Sequence, residues 1–217
     1  QFCAAQLGEP TYQLAGKPRF VVGMSMGGTI AIQIARNSII KGNNGSNNNN
    51  NNSSSSSSHP NPLFTGYVLL SPAVRPPDDM FGWYGRVLQA LGSVLNAVAP
   101  QAAVLQVPFS EDPVLRAAAM QDELVVKQRT YVRVAHEFLR VYAEIDAHAA
   151  SIAFPGVLVV VGARDPIVSP SGIRRFVERV QSPDKQMRVF DNLGHEVIRE
   201  PGCDAARETV LTWIAER

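Results

Sequence analysis

Long hydrophobic runs are absent from this sequence of 217 residues. The longest uninterrupted apolar stretches have about five residues, as in 157–161, whereas a helix that spans a bilayer needs roughly 18. No charged segment followed by an apolar segment opens the chain, so no signal peptide is visible. We therefore expect a soluble or peripheral membrane protein of the cytoplasm.

Charge of one sign and cysteine are also scarce. The chain has 20 Lys and Arg against 19 Asp and Glu, a net charge of +1, and no cluster of basic residues of the kind that binds nucleic acid. Its two cysteines, Cys3 and Cys203, lie near opposite ends without the spacing of metal ligands. We expect no nucleic-acid partner, no metal and no organic cofactor.

One segment is low in complexity. The stretch NNGSNNNNNNSSSSSSHPNP runs from Asn43 to Pro62 and consists almost entirely of Asn and Ser. Such a segment cannot bury enough apolar area to offset the entropy lost on ordering. It predicts a disordered insertion in a surface loop, with no part in the chemistry.

On either side of this insertion, short apolar segments alternate with helical patterns. Strands are predicted at 20–22, 67–70, 157–161 and 187–190, and helices over about 27–40, 171–180 and 204–215. Runs of Val, Leu and Phe bounded by Gly and Pro are typical of strands buried on both faces, and their alternation with helices indicates right-handed crossovers. The predicted fold class is α/β, with a parallel sheet flanked by helices.

Between residues 72 and 155 this alternation stops. Apolar residues recur at helical spacing after Met80, and Arg86 is the only charged residue between Met80 and Val107. A second amphipathic helix is predicted over about 129–152. The pattern predicts a helical cap, 72–155, inserted into a core made of 1–71 and 156–217. The first cap helix either packs against the core or exposes an apolar surface to an acyl chain or a membrane.

The segment RFVVGMSMGGTIAIQIA places Ser25 between a strand and a helix. Gly-x-Ser-x-Gly in that context is typical of a nucleophile elbow, a sharp turn that presents a serine hydroxyl. We expect Gly23, Gly27 and Gly28 to remove side chains that would collide with the strand and helix. The hydroxyl would then lie at the positive end of the helix, facing the backbone N–H of Met26. A Ser-Gly-rich helix cap without chemistry is the alternative.

A nucleophilic serine needs an imidazole base and an acid that orients the imidazole. His195 follows the last predicted strand in FDNLGHEVIREP, at the sheet edge where α/β proteins place their sites. Asp165 follows the third strand in VLVVVGARDPIVSP, where it could also be only a turn former. Asp191 competes as the acid, but it lies early in the His195 loop. The other histidines, His59, His136 and His148, lie in the insertion or in a predicted helix.

The chain order Ser25, Asp165, His195 is that of the α/β-hydrolase fold. GMSMGG resembles the Gly-His-Ser-Met-Gly-Gly of the monoacylglycerol lipase and lysophospholipase group, with Met24 where His is usual. GARDPIVSP and LGHEVIREP resemble the acid and histidine loops of that group, and FSEDPVLRAAAMQDELV resembles part of its cap. The resemblance implies a serine ester hydrolase with these three residues as its triad and the Met26 N–H in its oxyanion hole. The implied partner is a monoacylglycerol or lysophospholipid, with peripheral membrane contact through the cap.

The chain departs from this group before the elbow, where members carry further strands and a His-Gly loop that supplies the second oxyanion donor. Only 22 residues precede Gly23, so the chain resembles the C-terminal part of such a hydrolase, with a bare edge at strand 20–22. Other activities that use the same triad stay open, namely an esterase or acyltransferase on a small polar or phenolic ester and a haloperoxidase-like activity. A truncated, non-catalytic lipid-binding module is the alternative of a different class.

Overall fold

The computed structural model describes residues 16–44, 64–76, 92, 94–105, 112–125 and 130–217. Its strands are β1 (Phe20–Met24), β2 (Gly66–Leu70), β3 (Ala103–Leu105), β4 (Thr130–Tyr131), β5 (Val157–Gly162) and β6 (Lys185–Phe190). Its helices are α1 (Met26–Asn44), α2 (Pro113–Gln121), α3 (Val132–His148), α4 (Pro170–Arg179) and α5 (Asp204–Ala215), with a short 3₁₀ turn at Ala149–Ser151.

The main sheet has four parallel strands in the order β1-β2-β5-β6. All residues of β2 and β5 are buried, which agrees with continuous apolar runs covered on both faces. Because the strands are parallel, the loops after Met24, Leu70, Gly162 and Phe190 all leave the same edge of the sheet. The α/β class and the parallel sheet predicted from the sequence are confirmed.

The core lies on both faces of this sheet. On one face Leu69 and Val159 pack with Ile32 of α1, Ile145 of α3 and Phe176 of α4. On the other face alternate residues of the same strands, among them Val68 and Leu158, pack with Ala206 and Trp213 of α5. The result is a sheet between two helical layers, as the alternation of side chains along a strand requires.

Local side-chain bonds explain where two of the helices begin. Ser169 precedes α4, and its hydroxyl accepts a hydrogen bond from Gly172 N at 2.9 Å, while Pro170 occupies the first helical position. Asp112 precedes α2 in the same way and accepts from Val114 N at 3.0 Å and Leu115 N at 2.9 Å. A polar residue followed by Pro therefore sets the start of both helices.

The segment predicted as a helical cap also contains strands. β3 and β4 form an antiparallel pair within this segment, which the helical pattern of the sequence did not predict. Strands of three and two residues are too short for an alternating pattern, which is why their sequence gave no strand signal. Residues 77–91, which include most of the first predicted cap helix, lie outside the described residues, and 94–98 are helical.

Apolar side chains of the cap segment are exposed. α2 has no buried residue, Val114 is 72% exposed, and Leu124 just after this helix is 92% exposed.

Helix α1 continues through Asn43 and Asn44 into the predicted insertion, whose residues 45–62 lie outside the described part. Among the described residues no helix combines the length and the apolar character needed to cross a bilayer.

Candidate active site

Ser25 occupies a strained turn between β1 and α1. Its φ is 52°, in the left-handed region that residues other than Gly rarely adopt and that costs about 1–3 kcal/mol. The backbone holds it there, because Ser25 N donates to Leu70 O at 2.9 Å and Ser25 O accepts from Ala73 N at 3.0 Å. These bonds fix Ser25 to the end of β2 and to the loop that follows it.

Thr29, to which no sequence motif points, adds to this attachment. Its buried hydroxyl donates to Ala73 O at 2.6 Å, and its backbone N–H donates to Ser25 O at 3.2 Å. A threonine in the first turns of a helix is not itself a signal, because such a hydroxyl usually bonds its own helix. Its partner becomes visible only once β2 is placed beside β1.

The three glycines around Ser25 differ in the space that surrounds them. A Cβ at Gly23 would lie 2.4 Å from Gly27 O, and a Cβ at Gly28 would lie 2.8 Å from Pro72 Cβ. A Cβ at Gly27 would meet no atom within 4 Å among the described residues. A side chain would therefore collide at Gly23 and Gly28, whereas at Gly27 a Cβ would meet no described atom.

Asp165 and His195 form a buried pair at the same sheet edge. His195 Nδ1 lies 2.8 Å from Asp165 Oδ2, and the two residues are 6% and 8% exposed. Asp165 Oδ1 accepts from Ile167 N at 2.8 Å and from Val168 N at 3.0 Å, so the second oxygen is held by the backbone. Asp191, the competing acid, is exposed.

The closeness of this pair depends on Gly162, the last residue of β5. The backbone of Leu193 and Gly194 lies directly on it, and a Cβ at Gly162 would come within 2.1 Å of Gly194 O. Arg164 N also donates to Leu193 O at 3.0 Å, joining the two loops. The absent side chain thus lets the His195 loop approach the Asp165 loop.

The other histidines are not brought to this edge by the described structure. His148 ends α3, where its Nδ1 lies 2.9 Å from Glu144 O, and His136 lies within the same helix. His59 lies outside the described residues. Within the described part no three His, Cys, Asp or Glu side chains form a group that could hold a metal ion.

The hydroxyl of Ser25 and the imidazole of His195 make no hydrogen bond with each other in the described structure. Ser25 follows β1 and His195 follows β6, and β2 and β5 lie between these strands. Neighbouring strands lie about 4.8 Å apart, so the loops must bridge the distance. Met26 begins α1, and the first N–H groups of a helix have no acceptor within the helix. The partial positive charge of this helix end favours a negative oxygen beside Ser25.

An apolar groove of about 420 Å³ runs beside Ser25 between α1 and α3. It is lined by Met26, Thr29, Ile30, Gln33, Arg133, Val134, Glu137, Phe138 and Val141. Met26 and Ile30 are 56% and 53% exposed. At its rim, a hydrogen bond from Arg140 lowers the pKa of Glu137, which keeps that carboxylate charged. The groove is thus apolar inside and charged along one side.

A model of the family described as serine aminopeptidase, S33, matches residues 54–202. This range begins after Ser25 and includes Asp165 and His195. The monoacylglycerol lipase of Mycolicibacterium smegmatis is 28% identical over 200 residues, which are 91% of this chain and 62% of that protein. The chain thus spans 62% of the length of this relative.

Solved structures share the same fold. A soluble variant of monoglyceride lipase from Saccharomyces cerevisiae, in complex with a substrate analogue, superposes with a TM-score of 0.73 and 18% identity, covering 99% of this chain and 66% of that one. The monoacylglycerol lipase of Paleococcus ferrophilus gives 0.69 and 22% identity, covering 98% and 74%. The described sheet and helices therefore form part of an α/β-hydrolase fold, as the sequence predicts.

Proposed function

Because this chain belongs to the α/β-hydrolase family described as serine aminopeptidase, S33, we propose that it hydrolyses carboxylic esters through Ser25, Asp165 and His195. The observation that carries the proposal is the buried hydrogen bond between His195 Nδ1 and Asp165 Oδ2 at 2.8 Å. It lies at the sheet edge where Ser25 is held in a left-handed turn. A nucleophile, a base and an acid thus follow three strands that end together.

In this mechanism His195 Nε2 removes the proton from Ser25 Oγ as Oγ attacks the ester carbonyl carbon. Asp165 keeps the proton of the imidazole on Nδ1 and stabilises the imidazolium that forms. The Met26 N–H donates to the oxygen that becomes negative. The intermediate then collapses, the alcohol leaves with the proton held by His195, and water releases the acid from Ser25 by the same steps.

The missing bond between Ser25 and His195 agrees with this mechanism. Hydrogen bonds of catalytic groups are often long or absent before substrate binds and form in the complex. Asp165 Oδ1 is held by two backbone N–H groups, so the acid stays in place as the orienting partner of the imidazole. The proposal requires His195 Nε2 to come within hydrogen-bond reach of Ser25 Oγ in the substrate complex.

We propose a monoacylglycerol or lysophospholipid as the substrate. The apolar groove begins at Met26, one residue after Ser25, and extends along α1 past Ile30. It would take the acyl chain, while the ester group reaches Ser25 at its end. The relatives named as monoacylglycerol lipases support this substrate class over a peptide.

The proposal predicts that Ser25→Ala lowers ester hydrolysis by at least about 10³-fold with little change in stability, because the methyl group of alanine cannot attack the ester carbonyl. The measurements are the rate of ester hydrolysis and the rate of labelling by a fluorophosphonate probe, with the labelled peptide identified by mass spectrometry. The wild-type chain should carry the label on Ser25. Labelling of both proteins at similar rates would refute the assignment.

The substrate class is tested separately with a panel of compounds at matched concentration. A monoacylglycerol, a lysophospholipid, p-nitrophenyl acetate and an aminoacyl anilide are compared by kcat/KM. We expect the two lipids to exceed the acetate and the anilide. A preference for the acetate would favour the small-ester esterase, and a preference for the anilide would favour an aminopeptidase. Binding of the lipids without labelling by the fluorophosphonate probe and without turnover would favour the lipid-binding module.

A further inference from the structure

His195 lies in a long loop without helix or strand. The loop spans residues 191–203, between the end of β6 and the start of α5. The imidazole is tied through one atom, Nδ1, to Asp165 Oδ2. A bond to the ring does not by itself fix the backbone of His195, and the backbone bond from Arg164 N reaches Leu193 O, two residues before the histidine.

The carboxylate of Glu200 bonds the backbone on both sides of His195. Gly194 N donates to Glu200 Oε2 at 2.6 Å, and Glu196 N donates to Glu200 Oε1 at 2.9 Å. Each oxygen thus takes one of the two N–H groups that flank the histidine. Hydrogen bonds to an ionised carboxylate are shorter and stronger than those between neutral groups.

The loop folds back so that Glu200 can reach these donors. Arg199 N and Glu200 N both donate to Glu196 O, at 2.7 Å and 3.0 Å, which closes a tight turn after Glu196. A Cβ at Gly194 would lie 3.0 Å from Glu200 Oε1, so the carboxylate occupies the space that a side chain there would need. The turn and the glycine together seat the carboxylate against the backbone.

We infer that Glu200 is a positioning residue that fixes His195 for proton transfer, an inference that rests on the proposed function. During the reaction the imidazole must accept a proton from Ser25 and return it to the leaving group. Asp165 orients the ring from its Nδ1 side, and Glu200 holds the backbone from which the ring projects. Loss of the two bonds to Glu200 would let the imidazole move away from its position and would lower the rate of proton transfer without changing substrate binding.

The first test reads the geometry without using catalysis. In proton NMR of the full chain with isotope-labelled histidine, the Nδ1 proton shared with Asp165 should give a resolved signal in the wild type. Glu200→Ala removes both bonds and should broaden or abolish that signal. Glu200→Gln keeps one carbonyl acceptor and should retain the signal. An unchanged signal in a folded Glu200→Ala variant overturns the inference.

The second test uses kinetics on the substrate selected from the panel. Glu200→Ala should lower kcat by roughly 10²-fold at unchanged KM, because a misplacement of about 1 Å costs that much in a catalytic step. Glu200→Gln should fall between the alanine variant and the wild type. Glu208→Ala, which removes an exposed carboxylate from α5, is the matched control and should match the wild type.

The outcomes separate this inference from the proposed function. Loss of activity in Ser25→Ala and His195→Ala, with Glu200→Ala within about twofold of the wild type, overturns the inference alone. A rise in KM at unchanged kcat also overturns it. If Glu200→Ala does not fold, Glu200→Gln decides, because its amide accepts from only one of the two N–H groups: a lowered kcat at unchanged KM supports the inference, and a wild-type kcat overturns it. Activity retained in His195→Ala refutes the proposed function, while the NMR comparison of the Glu200 variants still tests whether Glu200 positions His195.

Discussion

The turn at Ser25 depends on the absence of a Cβ at Gly23. Gly23 is in the last part of β1, and its backbone lies so close to the start of α1 that a Cβ would overlap Gly27 O. Gly27 is the second glycine of the Gly-x-Ser-x-Gly motif, but a Cβ there would meet no atom of the described structure. The two glycines of the motif therefore have different physical roles.

This difference predicts opposite effects of the same substitution. Gly23→Ala should destabilise the fold by about 1–3 kcal/mol, because the added methyl forces the backbone apart. Gly27→Ala should leave the free energy of unfolding unchanged or raise it by up to about 1 kcal/mol, because alanine favours the helix. Urea denaturation of both variants checks this. Equal losses in both would show that Gly27 is also packed.

The placement of Asp165 and His195 at one sheet edge could be predicted from the sequence, whereas the bonds from the backbone beside His195 to Glu200 could not. Residues that follow successive parallel strands meet at one edge, so strand ends alone bring the acid and base together. The bonds of Glu200 go to backbone N–H groups, which every residue except proline carries, so their partners leave no trace in the sequence. The steric freedom of Gly27 was likewise invisible, since it depends on where other atoms lie.

At the scale of elements, α1 and α3 are joined at one end and separated at the other. Arg36 of α1 bonds Glu144 of α3 in an ion pair that is mostly shielded from solvent. Toward the start of both helices the gap opens into the apolar groove beside Met26 and Ile30. The ion pair thus sets the spacing of the helices at the far end of the groove.

The groove predicts a change in chain-length preference. Ile30→Trp should fill it and lower kcat/KM for long-chain monoacylglycerols by roughly 10- to 100-fold relative to short-chain esters, since lost apolar contacts are worth about 1–3 kcal/mol. The matched control is Ile34→Trp, one turn further along α1 and outside the groove lining. Equal chain-length profiles for the two variants would show that the acyl chain binds elsewhere.

The positions of the longer strands and helices could be predicted from the sequence, whereas those of the shortest strands could not. The predicted strand at 157–161 and helix at 204–215 agree with β5 and α5 to within one residue, because each carries a full apolar pattern with clear ends. The pair of β3 and β4 is held by partners far apart in sequence. Pairings of that kind are set by tertiary contacts, which local patterns do not report.

At the scale of the whole molecule, one aromatic side chain links the first strand to the last residue. Trp213 of α5 is 3% exposed, and its ring meets the ring of Phe20 at a centroid distance of 5.9 Å. The guanidinium of Arg217 lies 4.1 Å from the Trp213 ring centroid and bonds Asp184 Oδ2 at 2.5 Å. Asp184 directly precedes β6, so this set of contacts connects β1 with the start of β6 through α5.

The Asp184 contact predicts a pH-dependent contribution to stability. The hydrogen bond from Arg217 lowers the pKa of Asp184 below its usual value, so the folded state favours the ionised form. The stabilisation is therefore present above the unfolded pKa and is lost as pH falls through the folded pKa. Asp184→Asn should lower stability by about 1 kcal/mol or less at neutral pH, since solvent screens the pair.

The check is a comparison of urea midpoints at about pH 7 and about pH 3, either side of the ordinary carboxyl range. The difference between wild type and Asp184→Asn should shrink in acid. Glu208→Gln, which alters an exposed carboxyl on α5, serves as the control. A difference that is constant across pH would assign the effect to packing of the side chain instead of its charge.

The strand order β1-β2-β5-β6 follows the order of the chain, which matters while the protein is being made. Each strand of the main sheet can dock beside the previous one as it leaves the ribosome. Ser25 leaves the ribosome after β1, and His195 leaves it after β6. The bonds from Ser25 to Leu70 and Ala73 can therefore form before the nascent chain contains His195, the base that we propose.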